Sequence, residues 1–171
     1  MSASVPSPWV VRFAHLVPPG EKVLDVACGS GRHTRFFLEQ GHPVVAVDRD
    51  LTDVQDLEHH VNLELLRIDL EDGRPFPLRG QRFAGVVVTN YLYRPILADL
   101  VNVTDGVLLY ETFARGDERF GPPHRPDFLL EPGELLDAVK TKLRVIAYED
   151  LIVDEPRRAA VQRICAVTPR T

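Results

Sequence analysis

A chain of 171 residues with 44% apolar and 26% charged side chains has room for one domain with a full hydrophobic core and little more. Its net charge of −5 comes without any block of like charge, which argues against a nucleic-acid or acidic-membrane partner, because phosphate binding draws on clustered Lys and Arg. Cys28 and Cys165 lie in apolar stretches that suit reduced core thiols, no Cys/His spacing suits a metal, no apolar run reaches the roughly 18 residues of a membrane span, and residues 1–8 lack the marks of a signal peptide, so a cytoplasmic protein is expected.

Residues 9–16 form a short amphipathic segment closed by Pro18-Pro19-Gly20. Residues 22–27 are a β-run ending in small residues, Gly29-Ser30-Gly31 is a tight turn, and residues 32–40 have helical spacing that stops at Gly41. Residues 43–47 are a second buried strand ending at Asp48. A helix is expected over 51–59, a third strand over 62–67 with Asp69 just beyond it, and a Gly- and Pro-rich loop over 71–80. Residues 83–89, mostly Val, form a fourth strand; 91–100 have helical spacing with Pro95 in the first turn; 106–113 form a fifth strand. A long polar loop over 115–127 contains Gly116, Gly121, Pro122 and Pro123, and a helix is expected over 132–143. Two last β-runs, 143–153 and 159–167, are joined by Asp154-Glu155-Pro156 as a hairpin.

Five strands linked by crossovers imply a parallel sheet covered on both faces, in keeping with unbroken apolar runs such as Val86-Val87-Val88. The expected architecture is therefore α/β: a Rossmann-like, doubly wound, seven-stranded, mostly parallel sheet whose C-terminal hairpin brings in one antiparallel strand.

The chemistry concentrates in residues 23–34, where a buried strand feeds a glycine turn and the turn opens a helix. Gly29 and Gly31 let the backbone bend sharply and approach a ligand. Asp48, 17 residues after Gly31, ends the second strand, where an acid can accept hydrogen bonds from both hydroxyls of a ribose. Asp69 ends the third, within reach of an adenine amino group. All three lie at the carboxyl edge of a parallel sheet, where such folds bind ligands. A dinucleotide fingerprint asks for G-x-G-x-x-G, but Thr34 stands at the third position. Asp25, four residues before Gly29, adds negative charge near the turn, which suits a cation-bearing ligand better than a pyrophosphate.

Residues 23–34 resemble motif I of the class I S-adenosylmethionine (SAM)-dependent methyltransferases, with Ala27 in place of its first glycine. Residues 44–48 resemble the family's ribose-binding motif, Ile68-Asp69-Leu70 its adenine-contacting motif, and 86–91 the end of its fourth strand. The resemblance runs from residue 21 to about 167. Tyr110-Glu111-Thr112-Phe113, Phe120-Gly121-Pro122 and residues 127–135 make the chain most similar to small bacterial tellurite-resistance-type methyltransferases. The resemblance implies one methyltransferase domain over 1–171, in which 1–20 cover the site and 21–171 form the core. It implies SAM as cofactor, held by Asp25, Ala27, Cys28, Gly29, Gly31, Arg32 and His33 at the turn and by Asp48, Arg49, Asp69 and Leu70 after strands two and three. Asn90 and Tyr91 after strand four, and Trp9 and Arg12 in the cover, complete the set, with the Arg12 fork pairing the cofactor carboxylate. Some of these residues have plain structural alternatives. Asp25 equally suits a brace for the turn, Cys28 core packing, Arg32 and His33 a surface first turn, and Arg12 with Trp9 a solvated helix face with an apolar anchor.

The expected reaction is methyl transfer to a small-molecule acceptor. Nucleic-acid amino-methylating enzymes carry Asn/Asp-Pro-Pro-aromatic after strand four, whereas Asn90-Tyr91-Leu92-Tyr93 has neither proline. No residue stands out as a general base; Tyr91, Tyr93 and His124 are the candidates for the acceptor pocket, and the loop 115–127 for its cap. A monomer or homodimer is expected. The alternatives are a non-catalytic SAM-binding module or partner subunit, and an NAD-binding oxidoreductase.

Overall fold

A computed structural model describes residues 4–169. It contains one seven-stranded sheet in the order β3-β2-β1-β4-β5-β7-β6. The strands are β1 (Val23–Val26), β2 (Val44–Asp48), β3 (Leu63–Arg67), β4 (Phe83–Thr89), β5 (Thr104–Phe113), β6 (Arg144–Val153) and β7 (Ala159–Val167). β1 to β5 pair in parallel, and β7 runs antiparallel between β5 and β6. The expected sheet, including its single antiparallel strand, is the one observed.

Strand alternation builds a core on each face of the sheet. Leu24, Val45, Val47, Val86, Val88, Leu108, Tyr110 and Ile164 fill one side, while Val23, Val44, Ala46, Val87, Leu109 and Cys165 fill the other. Helices α1 (Pro8–Phe13) and α2 (Arg32–Glu39) cover the second face through Trp9, Phe13 and Phe37. Helices α3 (Leu97–Asn102) and α4 (Glu134–Val139) cover the first through Leu100, Val101, Leu135 and Val139. These helices have six to eight residues, too few to be stable alone. Their buried side chains, at roughly 1.5–3 kcal/mol each for large apolar groups, hold them in place.

The helix expected over 32–40 is observed as α2, but the helices expected over 51–59, 91–100 and 132–143 are shorter than their sequence spacing suggests. Over 51–59 the chain makes only a 3-10 segment, Thr52–Leu57. Val54 is its one buried residue, and Asp50 captures both the amide and the hydroxyl of Thr52. The helix expected from residue 91 begins as a 3-10 turn at Arg94–Ile96. Pro95 has no N–H to give the Tyr91 carbonyl, which instead accepts the Tyr110 hydroxyl at 2.8 Å. The 132–143 segment is helical only over Glu134–Val139, where Leu135 and Val139 supply a two-turn apolar stripe. Between β3 and β4 no helix forms; Leu70, Phe76 and Leu78 pack directly on the sheet from a loop.

The loop after β5 is anchored from below. Asp117 is fully buried, receives both terminal nitrogens of Arg157 at 2.9 and 3.3 Å, and accepts the Ala160 amide at 3.0 Å. The loop is thereby tied to the β6–β7 hairpin. Arg94 fixes its far end, pairing with Glu134 at 2.6 Å and donating to the carbonyls of Pro126, Asp127 and Leu129. Among the described residues no helix is long and apolar enough to cross a membrane.

Candidate active site

The carboxyl ends of β1 and β4 carry the two non-glycine residues with positive φ among those described, Ala27 (φ 53°) and Asn90 (φ 54°). Side-chain-bearing residues hold that conformation only where the surroundings over-determine it, and such positions gather at functional sites. After Ala27 the chain turns through Gly29 (φ 54°) and Gly31 (φ 78°) into α2. Gly31 is required twice over: besides its φ, a Cβ there would lie 2.5 Å from the Val54 side chain.

Asp48 locks this turn to β2. Its Oδ2 accepts the Gly29 amide at 2.8 Å and its Oδ1 accepts the Asp50 amide at 3.0 Å. Each carboxylate oxygen has a second lone pair, so Asp48 can accept two further hydrogen bonds from the cavity side. Asp69 is held in the same way after β3, accepting the Glu71 amide at 2.9 Å.

A cavity of about 440 Å³ opens between these strand ends. Ala27, Asp48, Arg49, Asp69, Leu70, Asn90 and Tyr91, all expected on sequence grounds, line it. Ile68, Glu71, Leu92, Thr112 and Phe113 join them, and Pro123 and Phe128 reach over from the loop that follows β5. The loop 115–127, expected as the cap of the acceptor pocket, reaches this cavity through Pro123, and Phe128 just beyond it adds a contact the sequence reading missed. The exposed Phe128, an apolar side chain in a polar loop, was the available signal. Three carboxylates, Asp48, Asp69 and Glu71, face one guanidinium, Arg49, across this cavity.

Other expected residues stand behind the wall rather than in it. Asp25 is 3% exposed and accepts the Thr34 hydroxyl at 2.7 Å, so it braces the glycine turn against α2. Burial pushes its carboxyl up to about 6 against the opposing Thr34 hydrogen bonds. Because this lies above the ordinary 3.8, the stability tied to the protonated form is complete below about pH 4 and lost as pH rises through 6. Asp25→Asn keeps an acceptor for Thr34 and has no proton to lose. Its stability relative to the wild type is expected to rise between pH 4 and pH 6 by up to about 3 kcal/mol, then stay level. Urea unfolding of both proteins across that range measures the gap, and a gap constant with pH would refute the strain.

Cys28 is a core thiol; burial first, then Asp25 and Asp48, push it up to about 12, so it is no thiolate nucleophile. His33 is buried and held neutral, lowered to about 3 by burial and then by Arg32, and its Nε2 accepts the Ser7 amide at 3.0 Å. Tyr91 is also raised, by burial first and then by Glu71 and Asp69, so it faces the cavity as a neutral phenol and a poor base. Tyr93 packs against the core and His124 is exposed; neither lines this cavity.

Trp9 and Arg12 also turn away from the cavity. Trp9 is 2% exposed and its indole N–H donates to the Ile164 carbonyl at 3.1 Å. Arg12 lies over the rings of Phe13 and Trp9 and pairs with Glu149 at 3.7 Å. The apolar anchor and the solvated cation of a helix face describe them, and the segment before α1 packs on the glycine turn, the start of α2 and the end of β5. The Ser4 hydroxyl meets that of Ser30 at 3.0 Å, the Val5 carbonyl accepts from Arg32 at 3.2 Å, and the Ser7 hydroxyl donates to Glu111 at 2.7 Å.

Beneath that segment lies a second cavity of about 250 Å³, which shares Asn90 and Phe113 with the first. Arg32, Glu111 and Arg163 line it together with the hairpin joining β6 and β7. Arg163 is bound on both sides, to Glu111 at 3.3 Å and Glu149 at 2.9 Å.

Residues 23–105 match the Methyltransferase domain family. No curated protein sequence matches. Among solved structures, TehB from Haemophilus influenzae superposes with a TM-score of 0.78 at 18% identity over 96% of this chain, which spans 63% of that protein's length. A 1,6-didemethyltoxoflavin-N1-methyltransferase from Burkholderia thailandensis, solved with 1,6-didemethyltoxoflavin and S-adenosylhomocysteine bound, superposes at 0.67 and 20% identity, covering 95% of this chain and 76% of that one. The cyclase SpnF superposes at 0.70 and 11% identity, with 95% and 80% covered. The glycine turn, the acids at the strand ends and the sheet order thus coincide with what the comparisons find: residues 23–105 are similar to the Methyltransferase domain family, and the chain as a whole has the fold of these solved structures.

Proposed function

We propose that this protein binds SAM in the larger cavity and methylates a small molecule held in the smaller one. The observation that carries the reading is Asp48. Its two oxygens are oriented by the Gly29 and Asp50 amides, and their remaining lone pairs are available to a ribose diol. The residues present also fit the rest of the cofactor. Asp69 and Leu70 line the same cavity and offer an acceptor for an adenine amino group and an apolar face for its ring, and the carboxylate excess suits a ligand carrying a sulfonium and an ammonium. The same excess disfavours a pyrophosphate, as does Thr34 in place of a third glycine.

Bound there, SAM supplies a methyl carbon on a sulfonium sulfur, which an acceptor lone pair displaces to leave S-adenosylhomocysteine. The chain's own part is to hold two molecules in line and keep water out. Asn90 and Phe113 stand at the junction of the two cavities, and the 4–8 segment closes the second one. Arg32 on the first turn of α2 takes over the role first expected of Arg12, pairing the cofactor carboxylate. A bound acceptor in the related Burkholderia enzyme's structure supports a small-molecule reading. SpnF, named as a [4+2]-cyclase, has this fold, and a reaction other than methyl transfer is the second reading.

Thermal unfolding with SAM, S-adenosylhomocysteine and NAD(H) tests the assignment. A ligand at 100 times its dissociation constant adds about 2.7 kcal/mol, and each kcal/mol moves the midpoint of a domain this size by roughly 2–4 °C. A rise of several degrees with both sulfur ligands and none with NAD(H) is expected. No rise with either sulfur ligand would overturn the proposal.

A further inference from the structure

The second cavity is narrower in chemistry than the first. Its walls are Pro8 from the covering segment, Phe113 from β5, and Val153, Pro156, Ala159 and Val161 from the hairpin. Most of the charges beside these groups are paired; among the described residues the exposed Glu155 of the hairpin has no cation within 4.0 Å, and the Arg163 Nε is buried without a hydrogen-bond partner. Arg157 lies over the Phe113 ring at 4.7 Å and makes a two-nitrogen pair with the buried Asp117. Arg163 sits between Glu111 and Glu149, and the remaining hydrogen-bonded partner of Glu111 is the Ser7 hydroxyl. Arg32, whose Nη2 donates to Thr89 beside the shared Asn90, is the lining cation with no carboxylate within 4.0 Å among the described residues, and the reading above gives it to the cofactor.

We infer that this cavity is the acceptor site and that it takes an uncharged, mostly apolar molecule of about one ring, presenting its nucleophilic atom at the Asn90 end. The inference rests on the methyltransferase reading and adds to it the substrate class. Three observations support it. The volume, about 250 Å³, lies just below the range usual for drug-sized ligands. An apolar wall rewards an apolar body, while an anionic acceptor would meet the unpaired Glu155 carboxylate and arginines already paired with Glu111, Glu149 and Asp117. The shared residues Asn90 and Phe113 place the acceptor in direct continuity with the larger cavity.

The test uses the whole protein saturated with S-adenosylhomocysteine. Binding of p-cresol and indole as neutral one-ring probes, and of benzoate and inorganic phosphate as anionic ones, is followed by ligand-observed NMR. The neutral rings are expected to bind and the anions to bind at least tenfold more weakly. Ala159→Leu fills the cavity from β7 and is expected to weaken the rings at least tenfold while leaving S-adenosylhomocysteine affinity within threefold. Val161→Ala enlarges the cavity and is expected to admit 2-naphthol, which the wild type rejects. Anions binding as well as the rings, or rings insensitive to both substitutions, would overturn the acceptor class. Failure of S-adenosylhomocysteine itself to bind the wild type would instead overturn the methyltransferase reading.

Discussion

Asp48→Ala is expected to weaken S-adenosylhomocysteine binding at least about 100-fold while leaving the protein folded. A hydrogen bond to a charged group contributes about 1.5–3 kcal/mol, and Asp48 can offer one to each ribose hydroxyl. Losing both costs no less than about 3 kcal/mol, and each 1.4 kcal/mol is tenfold in affinity. The fold survives because the two amides that lose their acceptor belong to Gly29 and Asp50, which are exposed and can turn to water. Asp48→Asn separates charge from shape. Its one remaining oxygen can serve the turn or the ribose but not both with ionic strength, so an intermediate loss of about tenfold is expected. Calorimetric titration gives the affinities, and thermal unfolding without ligand confirms the fold. Wild-type affinity in Asp48→Ala would remove the ribose assignment.

The sheet and the glycine turn were legible in the sequence because both are written locally. Unbroken Val runs mark strands buried on two faces, and a glycine pair between strand and helix can be read within a dozen residues. The helices were less legible, since spacing registers which residues are apolar but not whether a proline has removed the N–H that a carbonyl needs, as Pro95 does for Tyr91. Asp25 and Asp48 look alike in sequence, each an acid at or near a strand end. They part only in three dimensions, where one turns inward to Thr34 and the other outward beyond the Gly29 amide. The second cavity could not be read from the sequence, because its walls come from the covering segment, β5 and a hairpin more than a hundred residues later. Arg12 and Arg32 show the same limit. Both are arginines near the front of the chain, and what separates them is that Glu149 and two aromatic rings occupy the first, while the second has only neutral oxygens.

That difference makes Arg32 the subject of the second large effect. Its Nη1 donates to the Val5 carbonyl at 3.2 Å and an Nη2 to the Thr89 hydroxyl at 3.4 Å, both long contacts to uncharged acceptors. A guanidinium has five N–H donors, so three remain for a ligand, in a fork that matches a carboxylate. Arg32→Met is expected to weaken S-adenosylhomocysteine by about 10- to 100-fold, the 1.5–3 kcal/mol of a charge-assisted contact. 5′-Methylthioadenosine has the same nucleoside and no carboxylate, so its affinity is expected to be the same for variant and wild type. Arg32→Lys keeps the charge without the fork and should fall between. Arg12→Met should change neither ligand, because Arg12 is held against Phe13, Trp9 and Glu149. The competing account is that Arg32 merely pins the covering segment through Val5. In that case both ligands would weaken by the same factor in Arg32→Met, since loosening the cover does not depend on whether the ligand carries a carboxylate. A loss confined to the carboxylate-bearing ligand cannot come from the cover and assigns the contact to Arg32.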